Sequence, residues 1–256
     1  MSLYKTSSLF PPGIVYGFFG RNGGVSAAPY DTLNTSFLVG DDTNNVLCNR
    51  QRVLQALRLG DGPLATVCQV HGTDVLYVKT PQEAATALKT DADALITDVP
   101  GIALGIQTAD CAPILLYDPQ KHRIAAIHAG WKGAFLGIAE KTVQALIEMG
   151  SDSAALVAAI GPCIYQQSYS VSAGFRRQFL EKDTTYEVFF HASTAEDFLF
   201  DLPGFVLSRL RAIGVEAVDV VQSDTYMDPS FFSFRRAKQE TNGVCGRQLS
   251  VIALAN

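Results

Sequence analysis

Short runs of apolar residues, bounded by Gly, Pro or Asp and rich in Val and Ile, recur along the whole chain. Such runs read as buried strands. They cover Ile14–Phe19, Leu64–Val70, Val75–Val78, Ala94–Thr97, Ile102–Ile106, Ile114–Tyr117, Ile124–Ile127, Leu156–Ile160, Val218–Val221 and Leu249–Leu254. Four longer segments carry a helical spacing instead. Asn45–Leu59 places Val46, Val53, Leu54 and Leu57 near one face and stops at Gly60. Phe135–Met149 follows the same logic before Gly150. Ser172–Glu181 has a Ser cap and two Phe residues to bury, and Pro203–Ile213 has Pro in its first turn and Gly214 past its end. Strands often follow one another with no helix between them. That predicts an α+β fold rather than regular βαβ alternation, with layered β-sheets flanked by helices. No linker, repeat or low-complexity tract divides the sequence, so the expectation is a single compact domain spanning residues 1–256.

Composition narrows the class. Of the 256 residues, 48% are hydrophobic and 18% charged, which is too apolar for a disordered chain and enough for a full core. The net charge of −5 argues against a general nucleic-acid binder, although a local basic pocket is compatible with it. No apolar run reaches the roughly 18 residues of a membrane span. The five cysteines are an odd number with no CxxC pair, so a reducing compartment is expected, and the location expected is cytoplasmic. Nothing in the pattern fixes an oligomeric state.

Candidate chemistry gathers where strands open into turns, the places where a rigid scaffold presents reactive groups. Of only four histidines, His71 follows Leu64–Val70 and His128 follows Arg123–Ile127; Cys111 lies between two further apolar segments. Two imidazoles and a thiolate suit a catalytic zinc shell with one open position. The separations, 40 residues from His71 to Cys111 and 17 from Cys111 to His128, match no local zinc-knuckle pattern. The same residues also suit a Cys–His nucleophilic pair, with Cys111 attacking and His128 as base, or two turn histidines and a buried thiol.

Three other segments carry weaker signals. His128–Gly133 leads toward a helix and adds Lys132, which suits an anion or simply a tight turn. Arg21–Ser26 offers a guanidinium beside two glycines, as a phosphate clamp or a surface turn. Phe231–Arg236 mixes aromatics with guanidinium groups, as a stacking platform with an anion contact or an amphipathic edge strand.

Taken together, the segments FGRNGGVS (Phe19–Ser26), Asn34 with VGD (Val39–Asp41), QVHG (Gln69–Gly72), DALIT (Asp93–Thr97), TADCAP (Thr108–Pro113), HAGWKG (His128–Gly133), GPCI (Gly161–Ile164) and FSFRR (Phe232–Arg236) resemble the laccase-domain, or YfiH-like, family. The resemblance runs in order over most of the chain. It implies zinc bound by His71, Cys111 and His128, and phosphorolysis of adenosine, guanosine, inosine and methylthioadenosine together with adenosine deamination. Purine nucleosides and phosphate are then the expected partners. Relatives are also linked to editing of peptidoglycan precursors, and older descriptions name a copper-dependent polyphenol oxidase. Four histidines cannot furnish a multicopper set. A single copper would ordinarily take a weak axial Met, and no methionine adjoins the motifs.

Within the zinc reading, activated water accounts for deamination, with Asp110 the nearest carboxylate to shuttle the proton and Asp93 the second choice. For phosphorolysis, Arg21 and Lys132 are candidates to hold phosphate. Asn34 and Gln69 are candidates for ribose or base, with Phe232 and Arg235 as stacking and anion contacts. Departures from the family pattern are Lys132 for Arg, Ser170 for Glu, Ala237 for Asp and Cys245 for Thr.

Overall fold

The structure, a computed structural model, describes residues 3–194 and 196–255. In chain order its strands are β1 (Tyr4–Lys5), β2 (Ile14–Phe19), β3 (Leu64–Ala65), β4 (Val75–Tyr77), β5 (Ala94–Thr97), β6 (Ala103–Thr108), β7 (Ala112–Asp118), β8 (Arg123–Ala129), β9 (Val157–Ile160), β10 (Ser170–Ser172), β11 (Phe190–Ala192), β12 (Asp197–Phe200), β13 (Ala217–Val220) and β14 (Gln248–Leu254). The α-helices are α1 (Thr43–Ala56), α2 (Pro81–Thr86), α3 (Trp131–Leu136), α4 (Ile138–Glu148), α5 (Ala173–Lys182), α6 (Leu202–Ala212) and α7 (Phe234–Glu240).

Two large sheets stack face to face. One has the order β1-β2-β14-β6-β3 and the other β13-β9-β7-β8-β5-β4; a small third sheet runs β10-β12-β11. Side chains alternate across a strand, so each central strand feeds two layers. Leu115 and Tyr117 of β7 face the first sheet, where they meet Leu104, Ile106, Phe18 and Ile252. Ile114 and Leu116 face the opposite way, onto Ile138, Val143 and Leu146 of α4 and Phe205 and Leu210 of α6. The outer face of the first sheet is covered by Val53 and Leu54 of α1, against Val251 and Ala253. The result is helix, sheet, sheet, then helices with the third sheet, as an α+β arrangement requires.

Three expected elements differ for physical reasons. The run Leu64–Val70 pairs as a strand only at Leu64–Ala65. Beyond it, the Gln69 side chain takes over the pairing: Gln69 Nε2 donates to Gln107 O at 2.7 Å and Gln107 N donates to Gln69 Oε1 at 2.8 Å. The helix expected from Phe135 begins four residues earlier, at Trp131, and is broken by Gly137, whose φ of +98° is left-handed and suits glycine. Phe234–Glu240 is a helix, not an edge strand, because the Ser233 hydroxyl accepts from Arg236 N as an N-cap.

Candidate functional site

The junctions of four segments bring the chemistry together. His71 sits in the loop after β3, Cys111 in the turn between β6 and β7, and His128 near the end of β8, which pairs with β7 so that Pro113 lies opposite His128. One ligand atom from each of the three side chains lies within 4.8 Å of the other two, with Cys111 Sγ 3.6 Å from His71 Nε2. A tetrahedral zinc, at about 2.3 Å from sulfur and about 2.05 Å from nitrogen, would separate such a pair by about 3.6 Å. The donor set and its spacing therefore fit a metal ion. Gly130 makes the approach possible: a Cβ there would stand 2.7 Å from His71 Cδ2 and 3.0 Å from Cys111 Sγ. His128 is 3% exposed, whereas His71 opens to the surface.

Asp93, fully buried at the start of the DALIT segment, holds this arrangement. His128 Nδ1 donates to its Oδ1 at 2.7 Å, which leaves Nε2 as the free ligand nitrogen. The same carboxylate accepts from the backbone of Val70, His71 and Gly72, at 3.3, 3.0 and 2.6 Å. Those bonds hold His71 at φ +58°, in the left-handed region that few non-glycine residues adopt. The QVHG and DALIT motifs are thus one unit: a carboxylate that fixes two of the three clustered side chains.

The electrostatics are coupled. Burial pushes the Cys111 thiol up, but the charge on His128 and hydrogen bonds from His128 and His71 overcome it and bring it down to about 6. Burial pulls His128 down, while the Cys111 thiolate and Asp93 lift it to about 9. Asp93 is held below its ordinary value by His128 and by the backbone donors, against the effect of its own burial. Asp110 behaves in the opposite way: burial raises its carboxyl despite bonds from Arg235 N at 2.6 Å and the Thr225 hydroxyl at 2.8 Å.

Two cavities flank the triad, of roughly 390 and 320 Å³, and His71, Cys111 and Phe234 line both. The larger is aromatic, with Trp131, Tyr169 and Phe175, and also holds Asp110 and Arg235. The smaller is lined by Gln69, Gln107, Thr108 and Arg247 together with Leu38, Val39 and Ala109, and most of the surface it exposes is apolar.

The expected site residues divide accordingly. Asp110, Arg235 and Gln69 line the cavities, although the Gln69 amide is spent on Gln107. Lys132 is exposed and lines neither. Arg21 lies away from the triad in a third cavity, paired with Asp31 at 2.7 Å and stacked over Phe232. Phe232 is buried there, and its backbone is bonded to Gln248. Asn34 is also buried, its amide donating to Asp41 and Ser36 and accepting from Arg247 N. These motif residues frame the loops around the site and do not face it. Of the departures, Ser170 lines the aromatic cavity, and Ala237 and Cys245 pack together behind it with Phe232. Trp131, Tyr169, Phe175, Thr108 and Arg247 escaped the sequence reading. Trp131 within HAGWKG and Thr108 at the head of TADCAP carried a motif signal there, and Phe175 a helical one.

The copper alternatives meet the same donors. His122 pairs with Tyr117, and His191 lies on β11 in the third sheet, so the four histidines do not assemble a multicopper set. Neither Met149 nor Met227 lines the cavities beside the triad. All five cysteines are free. No helix among the described residues is long and apolar enough to cross a membrane.

Known proteins share this frame. Residues 15–255 match the family described as multi-copper polyphenol oxidoreductase laccase. The purine nucleoside phosphorylase YfiH of Escherichia coli strain K12 is 33% identical over 245 residues, 95% of each chain. A purine nucleoside phosphorylase of Mycobacterium tuberculosis strain H37Rv is 35% identical over 216 residues, 84% of each. Among solved structures, the hypothetical protein YfiH of Bacillus licheniformis superposes with a TM-score of 0.87 at 31% identity, covering 94% of this chain and 92% of its own. A protein of Neisseria meningitidis superposes with a TM-score of 0.84 at 32% identity over 96% of each chain. With the family match spanning nearly the whole sequence and relatives above 30% identity over most of their length, the chain belongs to the laccase-domain, YfiH-like family.

Proposed function

We propose that the protein is a zinc-dependent purine nucleoside phosphorylase acting on adenosine, guanosine, inosine and methylthioadenosine, with adenosine deamination as a second reaction. The observation that carries this is the His71–Cys111–His128 cluster, with its Asp93 support, opening onto an aromatic cavity on one side and a second cavity, lined by Gln69 and Arg247, on the other. The names of the relatives support the substrate class. Zinc bound by those three residues would supply a Lewis-acidic centre with one open coordination position.

The chain's own residues do the rest. In phosphorolysis a phosphate oxygen bonds to C1′ as the C1′–N9 bond breaks. The bonding pair leaves with the base, which then needs a proton. Asp110, raised by burial and facing the aromatic cavity, is the group that delivers it. In deamination water adds at C6 and ammonia leaves; the same carboxyl carries the proton between them. Trp131, Tyr169 and Phe175 bury the flat base and exclude water from it.

The test is to supply adenosine with and without phosphate and resolve the products. Adenine and ribose 1-phosphate should form only with phosphate, and inosine without it. Turnover to inosine alone, whatever the phosphate, would eliminate phosphorolysis as the main activity. A second reading is favoured by the lowered Cys111 thiol: a Cys–His hydrolase acting on an amide, a peptidoglycan precursor included. Metal-free protein that is active and is killed by alkylation of Cys111 would support that reading. One zinc per chain, occupying the thiolate, would oppose it.

A further inference from the structure

The aromatic cavity holds two cations that the fold leaves unmatched. Arg235 and Lys238 are three positions apart on α7, which puts them on one face of that helix, and both line the cavity. Arg21, Arg123, Arg176 and Arg209 each meet a carboxylate. Arg235 and Lys238 form no ion pair among the described residues. Arg235 donates from Nη1 to Ser170 O at 2.9 Å and stands 5.1 Å from the centre of the Tyr169 ring. Its other edge, Nε with Nη2, has no partner among the described residues. That is the edge with which a guanidinium takes two oxygens of one anion side by side. Lys238 Nζ stands 5.1 Å over the Phe234 ring and makes no hydrogen bond to the described residues.

Nothing else in the lining neutralises them. Asp110 is the one carboxyl among the described lining residues. Its oxygens accept from Arg235 N at 2.6 Å and from the Thr225 hydroxyl at 2.8 Å, and it pairs with neither cationic head. Ser170, whose carbonyl Arg235 bonds, brings no charge where the family pattern has Glu. The remainder of the lining suits a flat ring: Trp131 packs on Phe175 at 4.9 Å, and Phe175 on Tyr169 at 6.4 Å. A phosphate monoester carries about −1.5 to −2 charges at neutral pH, the amount that one guanidinium and one ammonium offset.

We infer that the aromatic cavity takes a nucleotide, a base bearing a phosphate ester, with Arg235 and Lys238 holding the phosphate and the rings holding the base. This rests on the reading that Trp131, Tyr169 and Phe175 bury a base. It adds a second ligand class, which competes with the nucleoside for the same place.

The test sets AMP against adenosine. Each is titrated into the purified protein at low ionic strength, followed by calorimetry and by the emission of Trp131, the only tryptophan in the chain. AMP should quench Trp131, bind about tenfold tighter than adenosine or better, and lose that advantage as salt rises. Ser170→Glu puts a carboxylate on the residue whose carbonyl Arg235 bonds, and Lys238→Met removes the ammonium. Both positions are exposed, so neither change threatens the fold. Each should cut the advantage of AMP to about threefold or less and leave adenosine within about twofold. An advantage that survives either variant, or AMP that binds no tighter than adenosine in the wild type, would overturn the assignment. Inorganic phosphate binding as tightly as AMP would overturn it too, since the rings would then contribute nothing. If AMP behaves as stated but adenosine shows no phosphate-dependent turnover, the phosphorylase reading fails and the nucleotide site stands. Turnover without any preference for AMP would mean the reverse.

Discussion

At the scale of residues, one carboxylate organises the site. Asp93 accepts from His128 and from three successive backbone N–H groups, so it selects the His128 tautomer and holds the His71 loop at once. Asp93→Asn would turn an amide NH2 toward donors it cannot satisfy. Zinc affinity should fall by about 10–100-fold, measured by competition with a chelating dye; unchanged affinity would contradict the role given to Asp93. The thiol offers a second check. Cys111 becomes thiolate as pH rises through its lowered value, so the rate of iodoacetamide labelling of the chelated protein should climb with a midpoint near 6. A midpoint near 9 would mean that His128 and His71 do not stabilise the thiolate. That His71, Cys111 and His128 come together was legible in the sequence because strand ends and motifs mark them. Asn34 and Phe232 stand in equally distinctive motifs, yet they hold the frame. Type and spacing do not reveal which way a side chain points once it is buried.

At the scale of elements, strands such as Ile14–Phe19 and Ala94–Thr97 match their apolar runs, because buried central strands admit little else. The third sheet was not legible: β10, β11 and β12 are three or four residues each, too short for a period to emerge. Helix α7 was hidden for another reason. Beyond its Ser233 cap, its first turn is anchored by Asp110, 125 positions away in the chain. The aromatic cavity depends on such long-range packing. Phe179 of α5 is fully buried and lies 4.9 Å from Phe175, 6.5 Å from Trp131 and 4.7 Å from Phe135. Phe179→Ala should cost about 3–5 kcal/mol in denaturant unfolding and weaken purine binding, because Phe175 loses the ring it stacks on. A variant as stable as wild type would show that this cluster does not support the cavity.

At the scale of the whole molecule, the core is built apart from the proposed metal site. Ile114, Leu115 and Leu116 of β7 and Ile124 to Ile127 of β8 are fully buried between layers, so the core closes independently of the triad. Chelation should therefore leave the far-UV circular dichroism spectrum intact. It should lower the melting temperature by an amount set by binding alone, on the order of 10 °C for a ligand at about a thousand times its Kd. Loss of the spectrum on chelation would mean the metal is structural. The α+β class was legible from strands succeeding one another without helices. The stacking of two sheets around β7 and β8 was not, since strand order depends on contacts between distant segments. The most direct test of the account is elemental analysis of the purified protein beside His71→Ala. About one zinc per chain should be found in the first, with metal and phosphorolysis both falling in the second. A variant that keeps its metal and its activity would show that His71, Cys111 and His128 do not form the centre described.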